Sequence, residues 1–266
     1  MNKDTTSALL GFFGVIAALF TILFITYGQA SGNAIDVLIS RSSQLLTGSS
    51  GFSSFGGGFS ANVIISIFSM VISLIAGFFL GGAMVSPNSL LRNAAVLIMN
   101  LLRSSPWLVV LYAMLYLLPF RMTILGTSIF ISPFLKAVIG LSFPVTAYIA
   151  EGFRNGIRAV PDGQWESARA LGYRRGQILR LIILPQALPM MLPNLMTTYA
   201  MLFIGTSLVV VTGTSDVLSI GKTVIASDGD EYATAIYLYI LLLFFLFAYP
   251  LATWTRALER RLIKGK

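Results

Sequence analysis

The sequence contains no cysteine and no histidine among its 266 residues. Their absence excludes disulfide scaffolds, thiol nucleophiles, imidazole bases and metal sites built from these two residue types. Charged residues are also scarce: they make up 11% of the chain, whereas a soluble domain carries about 25%. Because 56% of the residues are apolar, too few charged side chains remain to cover a water-exposed surface. We therefore expect an integral membrane protein.

Long uncharged runs predict the membrane-spanning segments. A transmembrane helix needs about 20 mostly apolar residues, and the open edge of a β-sheet is too costly in lipid. The predicted fold class is therefore an all-α integral membrane protein with six transmembrane helices. The runs are 8–27, 61–85, 106–120, 134–150, 187–211 and 232–255, and the third is short unless it begins near residue 94.

The first run allows two interpretations. Lys3 precedes it and small residues follow it, as in a secretory signal, but its apolar part is longer than the usual roughly 7–15 residues, and Asp4 weakens the positive flank. We favour a retained membrane anchor. Residues 1–57 then form this anchor with an external loop, and residues 58–266 form the main transmembrane domain. The glycine- and serine-rich stretch 28–60 is expected to be a flexible loop.

The basic residues indicate the orientation in the membrane. The formal net charge is +8, and 14 of the 18 Lys and Arg residues lie on one side of the predicted spans. Because positive charge concentrates in cytoplasmic loops, this side and both termini are expected in the cytoplasm. The stretch 213–231 becomes a second external loop, ending in the acidic residues Asp228, Asp230 and Glu231.

The predicted spans carry no ionisable residue at their centres, unlike most ion-coupled pumps. Lys136 and Glu151 lie near opposite ends of the fourth span, where each can reach a membrane surface. A phosphate-binding loop is also not expected. Residues 221–223 (Gly-Lys-Thr) match the end of such a motif, but Asp216 occupies the place of its first glycine. If energy drives this protein, it must therefore come from a partner on the cytoplasmic side.

The cytoplasmic segment 152–186 is basic and patterned. Asp162 is positioned to cap a short helix over 164–171, and Gly172 to end it in the left-handed conformation. A second helix over 173–184 would lead into the fifth span. The result would be a helix–turn–helix at the membrane surface.

One face of the first short helix is apolar. Trp165, Ala168 and Leu171 or Gly172 recur at the spacing of neighbours on a helix. Two interpretations follow from this pattern alone: an interfacial helix with its arginines among lipid headgroups, or a docking site for a protein partner.

The same segment carries a motif with fixed spacing. It resembles the signature E-A-A, three residues, G, nine residues, I-x-L-P of ABC-importer membrane subunits, with Ser167 in place of one alanine. Flanking stretches such as 147–157 resemble permeases of the polar amino-acid uptake family, and the resemblance covers about residues 58–262. The matching signature residues are Glu166, Ala168, Gly172, Ile182, Leu184 and Pro185.

The resemblance implies a permease subunit for polar amino acids or related small polar solutes, with a five-helix core and one additional N-terminal helix. It implies a separate cytoplasmic ATPase that binds ATP and Mg²⁺, with no cofactor or metal in this chain. The other implied partners are an external solute-binding protein, a second permease copy or paralogue, and the lipid bilayer of the bacterial inner membrane; nucleic acid is not expected. The residues implied to couple to the ATPase are Trp165, Glu166, Ala168, Arg169, Leu171 and Gly172.

The fifth span indicates where a solute would pass. Its prolines at 185, 189 and 193 predict a kinked or partly unwound start. We hypothesise that the pathway is lined by Asn194, Thr197, Thr198 and Tyr148. The alternative is that these polar groups form hydrogen bonds between helices.

Two local contacts can be predicted from spacing. Glu151 and Arg154 are three residues apart and can form an ion pair. Gly77, Gly81 and Gly82 allow a close helix crossing in the second span, for which we favour packing within the chain.

Competing functions remain at this point. The chain could be an ATP-independent secondary transporter or channel, or a membrane scaffold that recruits a cytoplasmic partner. An intramembrane enzyme is the weakest alternative, because no span contains a cluster of Ser, Asp or Lys suited to catalysis.

Overall fold

The computed structural model describes residues 3–50, 56–124 and 127–264, which are almost entirely helical. A short antiparallel hairpin of β1 (Arg121–Ile124) and β2 (Thr127–Phe130) joins α5 to α6. The helices are α1 (Lys3–Tyr27), α2 (Ser31–Thr47), α3 (Gly58–Met84), α4 (Ser89–Ser104), α5 (Trp107–Leu117), α6 (Pro133–Arg158), α7 (Asp162–Ala170), α8 (Arg175–Ile178), α9 (Leu184–Gly205), α10 (Val217–Asp228) and α11 (Ala233–Lys264).

Five stretches of the described residues are long and apolar enough to cross a membrane. They are Ala8–Thr47, Gly58–Met84, Pro133–Arg158, Arg175–Thr212 and Asp230–Leu258. The third predicted span differs from expectation, because α4 and α5 meet at a bend of 97°. Pro106 disfavours helical backbone at Ser105, whose ψ is 125°. The sixth candidate span is therefore a broken pair of helices.

The close contact between α3 and α6 lies at the centre of the bundle, where α4, α5 and α9 also pack around α6. A Cβ atom at Gly77 would lie 2.6 Å from the Ile149 Cβ atom, and one at Gly81 would lie 2.9 Å from the Ala150 carbonyl oxygen. These two glycines confirm the predicted crossing within the chain. Gly82, by contrast, faces open space with no described atom within 4 Å of the added Cβ.

Lys136 departs from the prediction that it reaches the membrane surface. Its side chain is buried, and Nζ donates to the carbonyl oxygens of Leu115 at 3.0 Å and Leu118 at 2.6 Å. It also lies 3.5 Å from the centroid of the Phe120 ring. Leu115 lies in the last turn of α5 and Leu118 is its C-cap, where the carbonyl groups have no further helical donors. Lys136 thus closes the end of a short helix inside the bundle.

The predicted flexible loop over 28–60 is largely wrong, because α2 occupies much of it. Leu45 of α2 is fully buried in a cluster with Val217 of α10 and Ile236 of α11. The Gly58 amide donates to the Ser215 carbonyl oxygen at 2.9 Å, which ties the start of α3 to the start of α10. Packing against neighbouring helices, rather than local propensity, orders this segment.

The second predicted external loop, 213–231, is also mostly helical, because α10 lies within it. Residues 221–223 sit inside this helix and so do not form the strand–loop–helix geometry of a phosphate site. Asp216 caps α10, accepting from the Ser219 amide at 3.1 Å and the Ser219 hydroxyl at 2.6 Å. Burial raises the pKa of the Asp216 carboxyl, while these hydrogen bonds act in the opposite direction.

The two glycines of α3 give a matched test of the crossing. Alanine stabilises a helix interior by about 0.5–1 kcal/mol relative to glycine, so Gly82→Ala should leave the melting temperature unchanged or raise it. Gly81→Ala should lower it, because the new methyl group meets Phe153 and the backbone of α6. Thermal unfolding in one detergent measures both. If Gly81→Ala raised the melting temperature as much as Gly82→Ala, the close crossing at Gly81 would be contradicted.

Candidate functional site

The short helix α7 lies where the chain leaves α6. We call this end of the bundle the basic end, after Arg154, Arg158, Arg169, Arg174, Arg175 and Arg180. It begins at Asp162 rather than at residue 164, and the flanking N-cap is Pro161. Asp162 is therefore not the cap, which corrects the prediction. It occupies the first turn, where a negative charge interacts favourably with the helix dipole.

Gly172 ends α7 as predicted, with φ at +81°. Its amide donates to the Arg169 carbonyl oxygen at 2.9 Å, and the Tyr173 amide donates to the Ala168 carbonyl oxygen at 3.1 Å. This pair of bonds is the Schellman arrangement, which requires a left-handed residue after the helix. No described atom lies within 4 Å of an added Cβ at Gly172, so the backbone conformation, and not space, requires glycine here.

The predicted apolar face of α7 is divided between two surfaces. Ala168 is only 2% exposed and packs in a cluster with Phe153 of α6 and Met191 of α9, against which Trp165 also lies. Leu171 is 76% exposed and does not belong to this cluster. We name five exposed residues at the end of the helix the α7 tip: Glu166, Ser167, Arg169, Leu171 and Gly172.

After the turn at Gly172, a continuous helical segment that begins with α8 leads into the fifth span. The predicted separate helix over 173–184 is instead α8 followed by a π-helical turn, Leu179–Ile183, which runs directly into α9. The Leu184 amide donates to the Leu179 carbonyl oxygen, five residues back, just before Pro185. This wider turn distorts the helix just before Pro185, whereas Pro189 and Pro193 lie within α9 and do not interrupt it. Ile183 is buried in the same cluster as Ala168, so α7 and the span share one core.

An ionic cluster lies between α4 and the end of α6. Glu151 Oε1 accepts from Arg154 Nη2 at 3.2 Å, which confirms the predicted pair. The other carboxylate oxygen pairs with Arg103 of α4. Sequence spacing could not reveal this second partner, because it comes from a different helix. Arg154 Nε is buried without a hydrogen-bond partner among the described residues.

The four predicted pathway residues do not share one environment. Asn194 and Thr197 are exposed on α9, and Tyr148 is half-buried on α6 beside Trp107, with ring centroids 6.5 Å apart. Thr198 is only 3% exposed and lies inside the bundle. The Thr197 hydroxyl donates to the Pro193 carbonyl oxygen at 3.0 Å, within its own helix. Asn194 and Thr197 are therefore exposed in the single chain, whereas Thr198 is buried.

Comparison with known proteins places this architecture among transport components. The profile of the family described as "Binding-protein-dependent transport system inner membrane component" matches residues 69–264. The glutamate/glutamine/aspartate/asparagine transport system permease protein BztC of Rhodobacter capsulatus is 34% identical over 77% of this chain and 47% of its own length. The inner membrane amino-acid ABC transporter permease protein YhdY of Escherichia coli is 32% identical over 79% of this chain and 57% of its own length. The chain thus spans about half the length of these two relatives.

Solved structures share the fold. An amino acid ABC transporter crystallised with histidines matches with a TM-score of 0.65 and 24% identity, covering 77% of this chain and 92% of the other. The inward-facing MetNI methionine ABC transporter matches with a TM-score of 0.52 and 25% identity, covering 75% of this chain and 91% of the other.

Proposed function

This chain belongs to the family of binding-protein-dependent transport system inner membrane components, and from that premise we propose that it is the permease subunit of an ABC importer. The single observation that carries the proposal is the position of α7 and its packing against the membrane-spanning helices. This helix lies at the basic end, ends at Gly172 and shares a buried cluster with α6 and α9. A partner that moves α7 therefore moves the membrane-spanning helices with it.

The proposed partner at the α7 tip is a cytoplasmic ATPase subunit, which holds the ATP and Mg²⁺ while this chain holds no cofactor. The exposed side chain of Leu171 supports a protein contact, because burying a leucine stabilises a contact by about 1.5–3 kcal/mol. Glu166 and Arg169 add polar groups around it. Ala168 and Trp165 belong to the coupling segment in a different way: they hold α7 against the bundle.

The polar amino acids in the names of relatives such as BztC support solutes of that class. The pathway would pass Asn194, Thr197 and Tyr148, with Thr198 behind this surface. An external solute-binding protein would deliver the solute, and a second permease, identical or paralogous, would complete the pore.

The family and the long apolar helices make the chain a multi-pass inner-membrane protein. Its orientation is part of the proposal. Six arginines between 154 and 180 lie around α7, and positive charge concentrates on the cytoplasmic side of bacterial membranes. We place α7 and both termini there.

A pair of glycine variants tests the docking role of the tip. Gly172→Asp adds a carboxylate at the tip, and Asp adopts the left-handed conformation more readily than most residues. It should reduce solute-stimulated ATP hydrolysis of the reconstituted importer to the basal rate while the subunit still inserts. Gly176→Asp makes the same change four residues away, where the Cβ also meets open space, and should retain stimulation. Normal stimulation in Gly172→Asp would refute docking at this position.

Cysteine labelling tests the pathway, since the parent chain has no cysteine. Asn194→Cys and Thr197→Cys should react with a charged, membrane-impermeant thiol reagent, and Thr198→Cys should react far more slowly because position 198 is buried. Leu192→Cys is the control, because Leu192 is exposed but lies about 200° around α9 from position 194. Equal labelling at positions 192 and 194, or labelling at 192 alone, would exclude a water-accessible lining at Asn194.

A further inference from the structure

A partly exposed ion pair lies inside the membrane-spanning part of the chain. It joins Arg103 of α4 to Glu151 of α6. Because α6 continues beyond Glu151 to Arg158, the carboxylate lies about 10 Å along the helix from its end. The chain does not cover the pair, since 47% of the Arg103 side chain and 22% of the Glu151 side chain are exposed. Charges at such depth almost always face a bundle interior or a water-filled cavity, so we expect the exposed side of this pair to face water.

Three polar residues of α6 share the side of the helix that α4 and α9 leave uncovered. Tyr148, Glu151 and Asn155 follow one another at spacings of three and four residues, which places them on one face. Ala147 packs in a cluster with residues of α4, and Gly156 lies against α9. On a helix with 3.6 residues per turn, the face of the three polar residues lies between these two contacts. We call these three residues the polar strip of α6.

Side chains of both neighbouring helices reach the polar strip. Besides pairing with Glu151, the Arg103 guanidinium carbon lies 5.9 Å from the centroid of the Tyr148 ring. From α9, the side-chain amide of Asn194 occupies the space beside Gly152 where a Cβ atom would otherwise lie. Tyr148 and Asn194 belong to the proposed solute pathway. The ion pair therefore lies beside that pathway, within reach of a solute.

The charges at the polar strip do not cancel. Glu151 accepts from Arg154 at one carboxylate oxygen and from Arg103 at the other, so two arginines share one acid. Within the described residues, Arg103 donates through one of its five N–H groups, and the exposed guanidinium keeps the others for a second anion. The planar fork of such a group matches the two oxygens of a carboxylate. One additional carboxylate would balance the cluster.

We propose, on the basis of the proposed transport function, that Arg103 binds the carboxylate of the transported amino acid. Glu151 and the Tyr148 ring position the guanidinium, and the excess positive charge repels a cationic side chain. The site would therefore select acidic and neutral amino acids over arginine and lysine. This selectivity belongs to the permease and adds to any selectivity of the solute-binding protein.

Two variants that break the same ion pair give the sharpest test. Binding of radiolabelled L-glutamate is measured on the assembled permease–ATPase complex in nanodiscs, without the solute-binding protein. Arg103→Gln should weaken binding about tenfold or more, as expected for the loss of one hydrogen bond to a charged group. Glu151→Gln should leave binding unchanged or tighten it, because it removes negative charge and frees both arginines. Arg180→Gln is the charge control and should have no effect, since Arg180 is exposed at the basic end and lies outside the polar strip.

Equal weakening by Arg103→Gln and Glu151→Gln would overturn the proposal, because a purely structural ion pair predicts that result. Displacement of L-glutamate by L-arginine as effectively as by L-aspartate would overturn the charge selectivity. Loss of the second permease from the Arg103→Gln complex would assign the arginine to the subunit interface instead. A parent complex whose ATP hydrolysis is stimulated by amino acids but which binds no L-glutamate would contradict this inference alone. Absence of stimulation by every amino acid would instead contradict the proposed function.

Discussion

The proposed transmission of movement from α7 to the membrane-spanning helices depends on the buried cluster around Ala168 and Ile183. This cluster joins the end of α6, the short helix α7, the π-helical turn and the start of α9 in one apolar core. Because protein interiors are close-packed, a displacement of α7 cannot be absorbed within such a core. The small side chain at position 168 lets α7 lie close to the bundle, while Leu171 remains exposed for a partner.

The membrane imposes the second constraint. Backbone N–H and C=O groups at helix ends inside the bundle need hydrogen-bond partners from the protein, because water is absent there. Lys136 meets this need at the end of α5, and Asp216 meets it at the start of α10. Asn62 connects two further elements: Nδ2 donates to the Thr206 carbonyl oxygen at 3.1 Å, and Oδ1 accepts from the Val217 amide at 3.1 Å. These buried polar side chains hold broken and short helices in place, whereas ion-coupled transporters commonly use intramembrane charges for translocation.

Local sequence patterns predicted the structural features that depend on residues close together in the chain. They missed the features that depend on packing between distant helices. Apolar runs located the five long apolar stretches but not the bend between α4 and α5, and the glycine at 172 located the end of α7. The helix α2 was missed because its serine-rich sequence resembles a loop, whereas burial of residues such as Leu45 depends on packing against distant helices. The spacing of residues in α7 identified its apolar positions but could not show that Ala168 is buried and Leu171 exposed. Arg103 was missed as a partner of Glu151 because 48 residues separate them.

The central claim is that a cytoplasmic ATPase moves this chain through the α7 tip. The most direct measurement places a photo-crosslinking amino acid at position 171 in the assembled importer, and at position 91 for comparison. Both leucines are exposed, but only Leu171 belongs to the tip. The account predicts a crosslink to the ATPase subunit from position 171 and none from position 91. A complex that is active but yields no ATPase crosslink from position 171 would contradict it.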